Sequence, residues 1–432
     1  MAVNLLRAVP RWGTGALVAL GLVSGLGSAS VHAQETLALD QALRLAESRS
    51  RQLPAQDAAA LAAREMAAAA AQPPDPVLKT GINNLPINGP DRFSLTRDFM
   101  TMRSIGLSQE FTRADKRQAR SARFEREAEV AEAGRAQALA NLQRDTALSW
   151  LDRHYKERVR ELLLAQRSEA RLSVGAADSA YRASRGSQVD VFAARSAEAQ
   201  IDDRLAQNER ELASATTQLA RWVGEAARQP LAAPPNTDRI GLDPSTLESQ
   251  LAHHPRIAVL LKQEEAARAE ADIAQANQRA DWSAEVMYNQ RGPSFSNMVS
   301  INLSIPLQWD QKNRQDRELG ARLATVEQMR AQRDEALREQ VAEAGAMLQE
   351  WRSNRERLLR FDAALLPLAH ERVSAALAAY RGAGTGLIAV LDARRAEIDT
   401  RMDRLRLEAE TARLWAQLNY LSPTSSGVAV RR

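Results

Sequence analysis

The sequence predicts a mostly α-helical chain with a small β part, built as an internal duplication in which long helical hairpins carry four strands. Three observations predict this. Ser104-Ile105-Gly106-Leu107-Ser108 recurs as Ser300-Ile301-Asn302-Leu303-Ser304, and Lys116 recurs as Lys312, all at an offset of 196. Ala180-Tyr181-Arg182 recurs as Ala379-Tyr380-Arg381 at an offset of 199, and ten residues after each tyrosine Val191-Phe192-x-Ala194-Arg195 matches Val390-Leu391-x-Ala393-Arg394. Two separated matches in order, at nearly one offset, mark a repeat. Within each half, the hydrophobic period then changes from two to a helical spacing.

The strands are clearest in the second half. In 299–309, Val299, Ile301, Leu303, Ile305 and Leu307 share one face with Trp309, while Ser300, Asn302, Ser304 and Gln308 share the other. Residues 282–290 alternate in the same way, and Arg291-Gly292-Pro293-Ser294 supplies the turn. The first half repeats the plan at 76–85 and 101–111, with Ile105, Leu107 and Phe111 on the apolar side and a longer polar loop between.

Long helices follow each strand pair. Residues 114–181 contain no proline, and Ala, Arg, Glu, Gln and Leu dominate. A helix of roughly 65 residues spans about 100 Å. The second copy, 312–380, carries Pro367, which predicts a kink or a break. Shorter helices are expected at 37–72, 188–224, 245–279 and 386–421; two of them end to end match one long helix. Domain organisation follows: an export signal at 1–33, a first repeat at 34–229, a linker at 230–245 rich in proline, a second repeat at 246–422, and a flexible tail at 423–432.

Arg7 and Arg11 precede an apolar stretch, Ala16–Leu26, and Val31-His32-Ala33 forms a signal-peptidase site before Gln34. The chain is expected to leave the cytoplasm. It has no cysteine, so neither disulfides nor a cysteine-linked lipid anchor contribute. The formal charge of +4 loses two arginines with the signal. Charges alternate in sign along the helices, the pattern of a solvated face rather than of nucleic-acid binding.

Four strands cannot close a barrel within one chain, because small closed barrels start at about eight strands. An exported chain with strands of this length and one apolar face fits an outer-membrane barrel shared between copies. An eight-stranded barrel is filled by side chains, so a conduit favours three copies and twelve strands.

At this level the chain resembles the TolC-type outer-membrane efflux channels, the outer membrane factors, from about Leu37 to Leu421. The resemblance rests on the signal, the duplication, the strand pairs, the Tyr-x(9)-Val-[Phe/Leu]-x-Ala-Arg segments and His254-Pro255. Asp75-Pro76-Val77-Leu78, Asn84-Leu85-Pro86 and Arg97-Asp98-Phe99-Met100-Thr101-Met102-Arg103 resemble the heavy-metal-exporting branch. The resemblance implies a homotrimer with a twelve-stranded barrel in the outer membrane and a periplasmic α-barrel below it. Its far end would dock a periplasmic adaptor and an inner-membrane pump of the resistance-nodulation-division type. Heavy-metal cations are the implied cargo, with drugs or secreted polypeptides as alternatives.

The same resemblance implies site residues. Arg185, Gly186 and Ser187, and Gly384, Thr385 and Gly386, form hairpin tips that touch the adaptor; the plain reading is glycine-assisted helical turns. Asp392 corresponds to an acidic ring at the tunnel entrance, where three carboxylates would concentrate cations; the plain reading is an ion pair with Arg395 or another neighbouring arginine. Ala389 stands where a second acid is frequent. Asp190 and Tyr380 correspond to a network that holds the entrance shut, and the arginine expected near Thr385 is absent. Val299, Ile301, Leu303, Ile305 and Leu307 would face lipid.

Met100 and Met102 are expected to share a strand face, where thioethers suit Cu(I) but more often make apolar contacts. The histidines stand singly or, as His253-His254, point apart on a helix, so no metal site is expected. No nucleophile–base constellation, zinc signature or phosphate loop is present, so neither an enzyme nor a cofactor is expected. The competing class is a periplasmic coiled-coil structural protein, which leaves the duplicated strand pair without a purpose.

Overall fold

The computed structural model describes residues 36–382 and 385–423. The export signal, the cleavage position before Gln34, the tip residue Gly384 and the tail from 424 onward lie outside the described residues.

Helices α1 (Leu39–Arg49) and α2 (Gln52–Ala70) replace the single helix expected at 37–72. The break falls at Ser50, whose hydroxyl accepts from the Leu53 amide at 3.4 Å and starts the second helix. Strands β1 (Val77–Asn83) and β2 (Met102–Phe111) follow. Helix α3 (Ala114–Arg182) then runs unbroken for 69 residues, about 100 Å at 1.5 Å per residue. Helix α4 (Gln188–Val223) turns back along it. After the linker come short α5 (Leu247–Leu251) and α6 (Pro255–Ala276). The His254 ring caps α6 by accepting from the Arg256 amide at 3.2 Å, and Pro255 sits at its first position. Strands β3 (Trp282–Gln290) and β4 (Met298–Ser304) complete one sheet. Helices α7 (Gln315–Arg360), α8 (Leu366–Arg381) and α9 (Leu387–Asn419) end the described chain.

Pro367 acts as expected. A π-helical turn, Phe361–Leu365, separates α7 from α8 and absorbs the proline that a continuous ladder would exclude.

The strand expected over 299–309 stops at Ser304. Ile305 and Leu307 lie beyond it and are exposed. β4 is an edge strand, and an unpaired edge has no second ladder to hold its end. Pro306 also removes one donor there. The first strand ends early too, at Asn83, where the next residue, Asn84, turns the chain away with a φ of 54°.

Each long helix carries two short ones in series. α2 covers the first part of α3 through Arg64–Glu132 and Arg135–Asp57, and α4 covers the rest through Arg167–Asp202 and Arg171–Glu198. α6 packs on α7 through Arg333–Glu264, and α9 reaches the π-helical turn between α7 and α8 through Arg404–Asp362. The exposed pairs among these are worth about 1 kcal/mol or less each, whereas Glu264 is buried and Arg333 neutralises it.

The stabilising core lies where the repeats meet. Trp150, Leu151 and Leu219 are fully buried there, with Leu348, Trp351, Trp415 and Leu418. The Trp150 indole donates to the Leu37 carbonyl at 3.0 Å, and the Trp415 indole to the Arg239 carbonyl at 3.1 Å. Leu37 in turn bridges to Leu231, so the linker is stitched to the start of the first repeat. Elsewhere alanine lets the helices approach closely.

Candidate functional site: the sheet faces and the helical tips

The four strands form one antiparallel sheet in the order β1-β2-β3-β4. Its register sorts the side chains. Leu78 faces Leu107, which faces Val286, which faces Ile301; one pair along, Thr80, Ile105, Tyr288 and Val299 line up. This face is apolar and open, from 44% exposed at Tyr288 to 77% at Ile301. At its helix-proximal end Phe111 stacks on Trp282, with ring centroids 4.2 Å apart. Ile301, Leu303 and Val299 stand on this face as the alternation predicts.

The opposite face is polar and hydrogen-bonded from edge to edge. Asn83 Nδ2 donates to Ser104 Oγ at 2.7 Å, Ser104 Oγ donates to Asn289 Oδ1 at 2.7 Å, and Asn289 Nδ2 donates to Ser300 Oγ at 2.9 Å. Lys79 reaches across β2 to pair with Glu285, whose other oxygen accepts from Asn302 Nδ2 at 3.4 Å. Gly106 leaves the path open. A Cβ there would lie 2.7 Å from the Val286 carbonyl oxygen and 3.0 Å from Met287 Cα. Sequence reading missed this row, although Ser104 and Ser300 already stood out as repeat-equivalent. The further signal was Asn83 and Asn289, 206 residues apart.

The loops beyond the strands pack on each other. Arg291 Nη1 donates to the Phe99 carbonyl at 3.2 Å. Met100 lies in the β1–β2 loop rather than on a strand face, and its amide donates to Asp98 Oδ1 at 2.8 Å. The expected shared face of Met100 and Met102 is therefore not formed. The turn is set by Asp98, which also takes the Thr101 amide at 3.1 Å.

The tips lie at the other ends of the long helices. α3 closes through Ser184, at a φ of 53°, with the Arg185 amide donating to the Ala180 carbonyl at 2.8 Å. Ser187 and Asp190 then form a capping box at the start of α4. Asp190 Oδ2 accepts from the Ser187 amide at 2.9 Å and its hydroxyl at 2.8 Å, and the Asp190 amide donates back to Ser187 Oγ at 3.2 Å. The two hairpins are clamped by Ala177, Val191, Ala194, Leu387 and Val390, with Tyr380 packed against them. One cleft brings together Arg185, Gly186, Asp190, Tyr380, Thr385 and Gly386. Asp190 and Tyr380 thus share a cleft, but the Asp190 carboxylate is engaged by its own cap rather than across the hairpins.

Asp392 sits in the second turn of α9, outside that cleft. It lines a cavity of about 270 Å³ with Gln166, Arg204 and Arg395. It is exposed and makes no ion pair or hydrogen bond among the described residues. The plain reading, an ion pair with Arg395 or another neighbouring arginine, is not realised among the described residues. Its neighbour Arg394 is engaged by Glu169 at 2.6 Å. Among the described residues no group of three or more His, Cys, Asp or Glu could hold a metal ion, and no helix is long and apolar enough to cross a membrane.

With both faces and both tips located, the chain can be set beside solved structures. The outer-membrane channel OprN superposes with a TM-score of 0.73 at 18% identity, over 89% of this chain and 90% of that one. The outer membrane protein VceC from Vibrio cholerae gives 0.73 at 19%, over 89% and 95%. CusC, described with its transmembrane channel formation, gives 0.72 at 17%, over 89% and 92%. The fold is that of outer-membrane channel proteins. No family model matches the chain, and no curated protein does. The likeness spans 89% of this chain and nine-tenths or more of each of those chains.

Proposed function

We propose that the chain is one protomer of an outer-membrane channel through which an efflux system passes its substrate passively to the exterior. The observation that carries this reading is the sheet. Its apolar face is open across all four strands, its other face is polar and internally bonded, and both of its edges are unpaired. In water such a face is a liability, which argues against a soluble coiled-coil structural protein. In a bilayer an open apolar face suits lipid, and pairing of the two free edges with those of further copies would meet the rule that every backbone group be paired in a closed barrel. The fold shared with OprN and VceC supports the same reading.

Three copies would supply twelve strands, wide enough for a water-filled path. The Ser/Asn row and the Lys79–Glu285 pair would line that path, and Ile301 and Leu303 would face lipid. The helices would continue the path through the periplasm. Their tips, at Arg185–Ser187 and Thr385–Gly386, would meet an adaptor protein and, through it, an inner-membrane pump of the resistance-nodulation-division type. Unpaired Asp392 would collect cations near the entrance, beside the cleft that holds Asp190 and Tyr380. Heavy-metal cations are the proposed cargo, on the resemblance of residues 75–103, with drugs and secreted polypeptides as the alternatives; a conduit needs no tight metal site.

Two measurements test this. Native mass of the detergent-solubilised protein should give three copies, and planar bilayers should show single-channel currents. A stable single copy without conductance ends the channel reading. Growth of a strain lacking the protein, on metal salts against drugs, decides the cargo.

A further inference from the structure

The duplication builds the same strand seam twice, once filled and once open. Inside each repeat the register is identical. Val77 faces Ser108 as Ser283 faces Ser304, and Lys79 faces Gly106 as Glu285 faces Asn302. β1 and β3 are thus equivalent at an offset of 206, and β2 and β4 at 196. Two polar side-chain contacts close the seam between the repeats, β2 against β3, beside the Phe111–Trp282 stack. Ser104 donates to Asn289 Oδ1 at 2.7 Å, and Lys116 Nζ, only 5% exposed as a residue, binds Asp281 Oδ2 at 2.8 Å. The backbone amide of Arg113 donates to the other Asp281 oxygen at 3.0 Å.

The equivalents of these residues on the outer edges are Ser300 and Lys312 beside β4, and Asn83 and Asp75 beside β1. Lys312 and Asp75 are exposed, and neither has a hydrogen bond or ion pair among the described residues. Ser300 accepts from Asn289 and keeps its own proton, while Asn83 donates through Nδ2 and keeps Oδ1 free. The spare donor and the spare acceptor are the same atoms that Ser104 and Asn289 use in the filled seam.

We propose that β4 of one copy pairs antiparallel with β1 of a second copy in the register of the filled seam, with Ser300 facing Asn83 and Lys312 bound to Asp75 of that copy. The proposal rests on the multi-copy barrel reading and adds to it the register and the ion pair. Leu303 would then face Thr80 of the second copy, and Ile305 would face Leu78. Pairing would also extend β4 past Ser304, as β2 already extends beyond β1 to meet β3. Lys79 and Glu285, which are equivalent positions of opposite charge, would alternate around the sheet, each between two partners of the other sign.

The absence of cysteine from the chain makes the register directly measurable. Thr80→Cys with Leu303→Cys should form a reducible covalent multimer when outer membranes are oxidised. Ile82→Cys with Leu303→Cys should not, because a two-residue slip moves the partner Cα by about 7 Å, past disulfide reach. A second arm needs no cysteine. Lys312→Glu and Asp75→Lys should each lower the temperature at which the multimer dissociates, and the double reversal should restore it. Cross-linking of the slipped pair, or no recovery in the double reversal, overturns the register while leaving the channel reading standing. A single copy by native mass overturns both.

Discussion

The Ser104 hydroxyl donates to Asn289 Oδ1 at 2.7 Å across residues 185 apart in sequence, and that bond joins the two halves of the chain on the polar face of the sheet. It lies in the middle of a row that begins at Asn83 and ends at Ser300, so the two edges of the sheet display the two halves of one further bond.

The faces of β4 should respond oppositely to charge. Ile301→Arg places a cation on the apolar face, at a cost of about 2–4 kcal/mol near a bilayer midplane. Asn302→Arg places it beside the Glu285 carboxylate. The expected outcome, read by native mass, is loss of the multimer for the first and its retention for the second. Equal tolerance would mean that the sheet does not face lipid.

Gly106 should resist enlargement. Its Cβ would meet the Val286 carbonyl oxygen at 2.7 Å, and overpacking of this kind costs about 1–3 kcal/mol. Gly106→Val is expected to lower the unfolding temperature, while Gly81→Val, where nothing lies within 4 Å, should leave it nearly unchanged. Thermal melts of the two variants make the comparison.

Asp392 should govern ion permeation and not folding. Its carboxylate is exposed and unpaired within the described chain. Asp392→Ala is expected to leave the multimer intact, reduce cation selectivity in bilayers, and matter less as salt rises, since screening acts beyond about 10 Å at 0.1 M. Identical reversal potentials for the two proteins would remove Asp392 from the path.

The capping box should hold the α4 tip alone. Losing a cap of this type costs about 1 kcal/mol, or roughly fivefold in local opening. Asp190→Ala should speed hydrogen exchange in the first turn of α4 and leave the first turn of α9 unaffected. An unchanged exchange rate at Val191 would show that the cap contributes nothing.

Acid should weaken the chain near neutrality through His154. Its ring stacks on Trp150 at 5.4 Å. Burial, with the Arg158 charge, pushes its pKa below the ordinary value against the opposing pull of Glu408 and Glu161. A depressed folded pKa contributes stability that is fully present above the unfolded value of about 6.5 and is lost as pH falls through the folded one. Melting temperatures should therefore decline as pH drops below that point, and His154→Phe should flatten this part of the curve. The same slope in both proteins would assign it to other groups.

The duplication, the strand faces and the long helices were all legible in the sequence, because periods of two and 3.6 are written by near neighbours. Val299, Ile301 and Leu303 fell where alternation put them. Pro367 broke the second long helix because a missing donor acts locally. Even the end of β4, read as 309, missed for a physical reason: its last residues alternate like a strand but have no neighbouring strand in one chain.

What only the tertiary structure decided is which side chains meet. Lys116 and Lys312 look alike in sequence, yet one is buried on Asp281 and the other is exposed. The resemblance puts Asp190 in a network that holds the entrance shut, and in the fold Ser187, three positions away, bonds its carboxylate. Lys79 and Glu285 pair only because Gly106 leaves the strand between them bare. Such contacts depend on the register between distant segments. Local periodicity sets which face a residue joins, and only the assembled sheet sets which residue stands beside it.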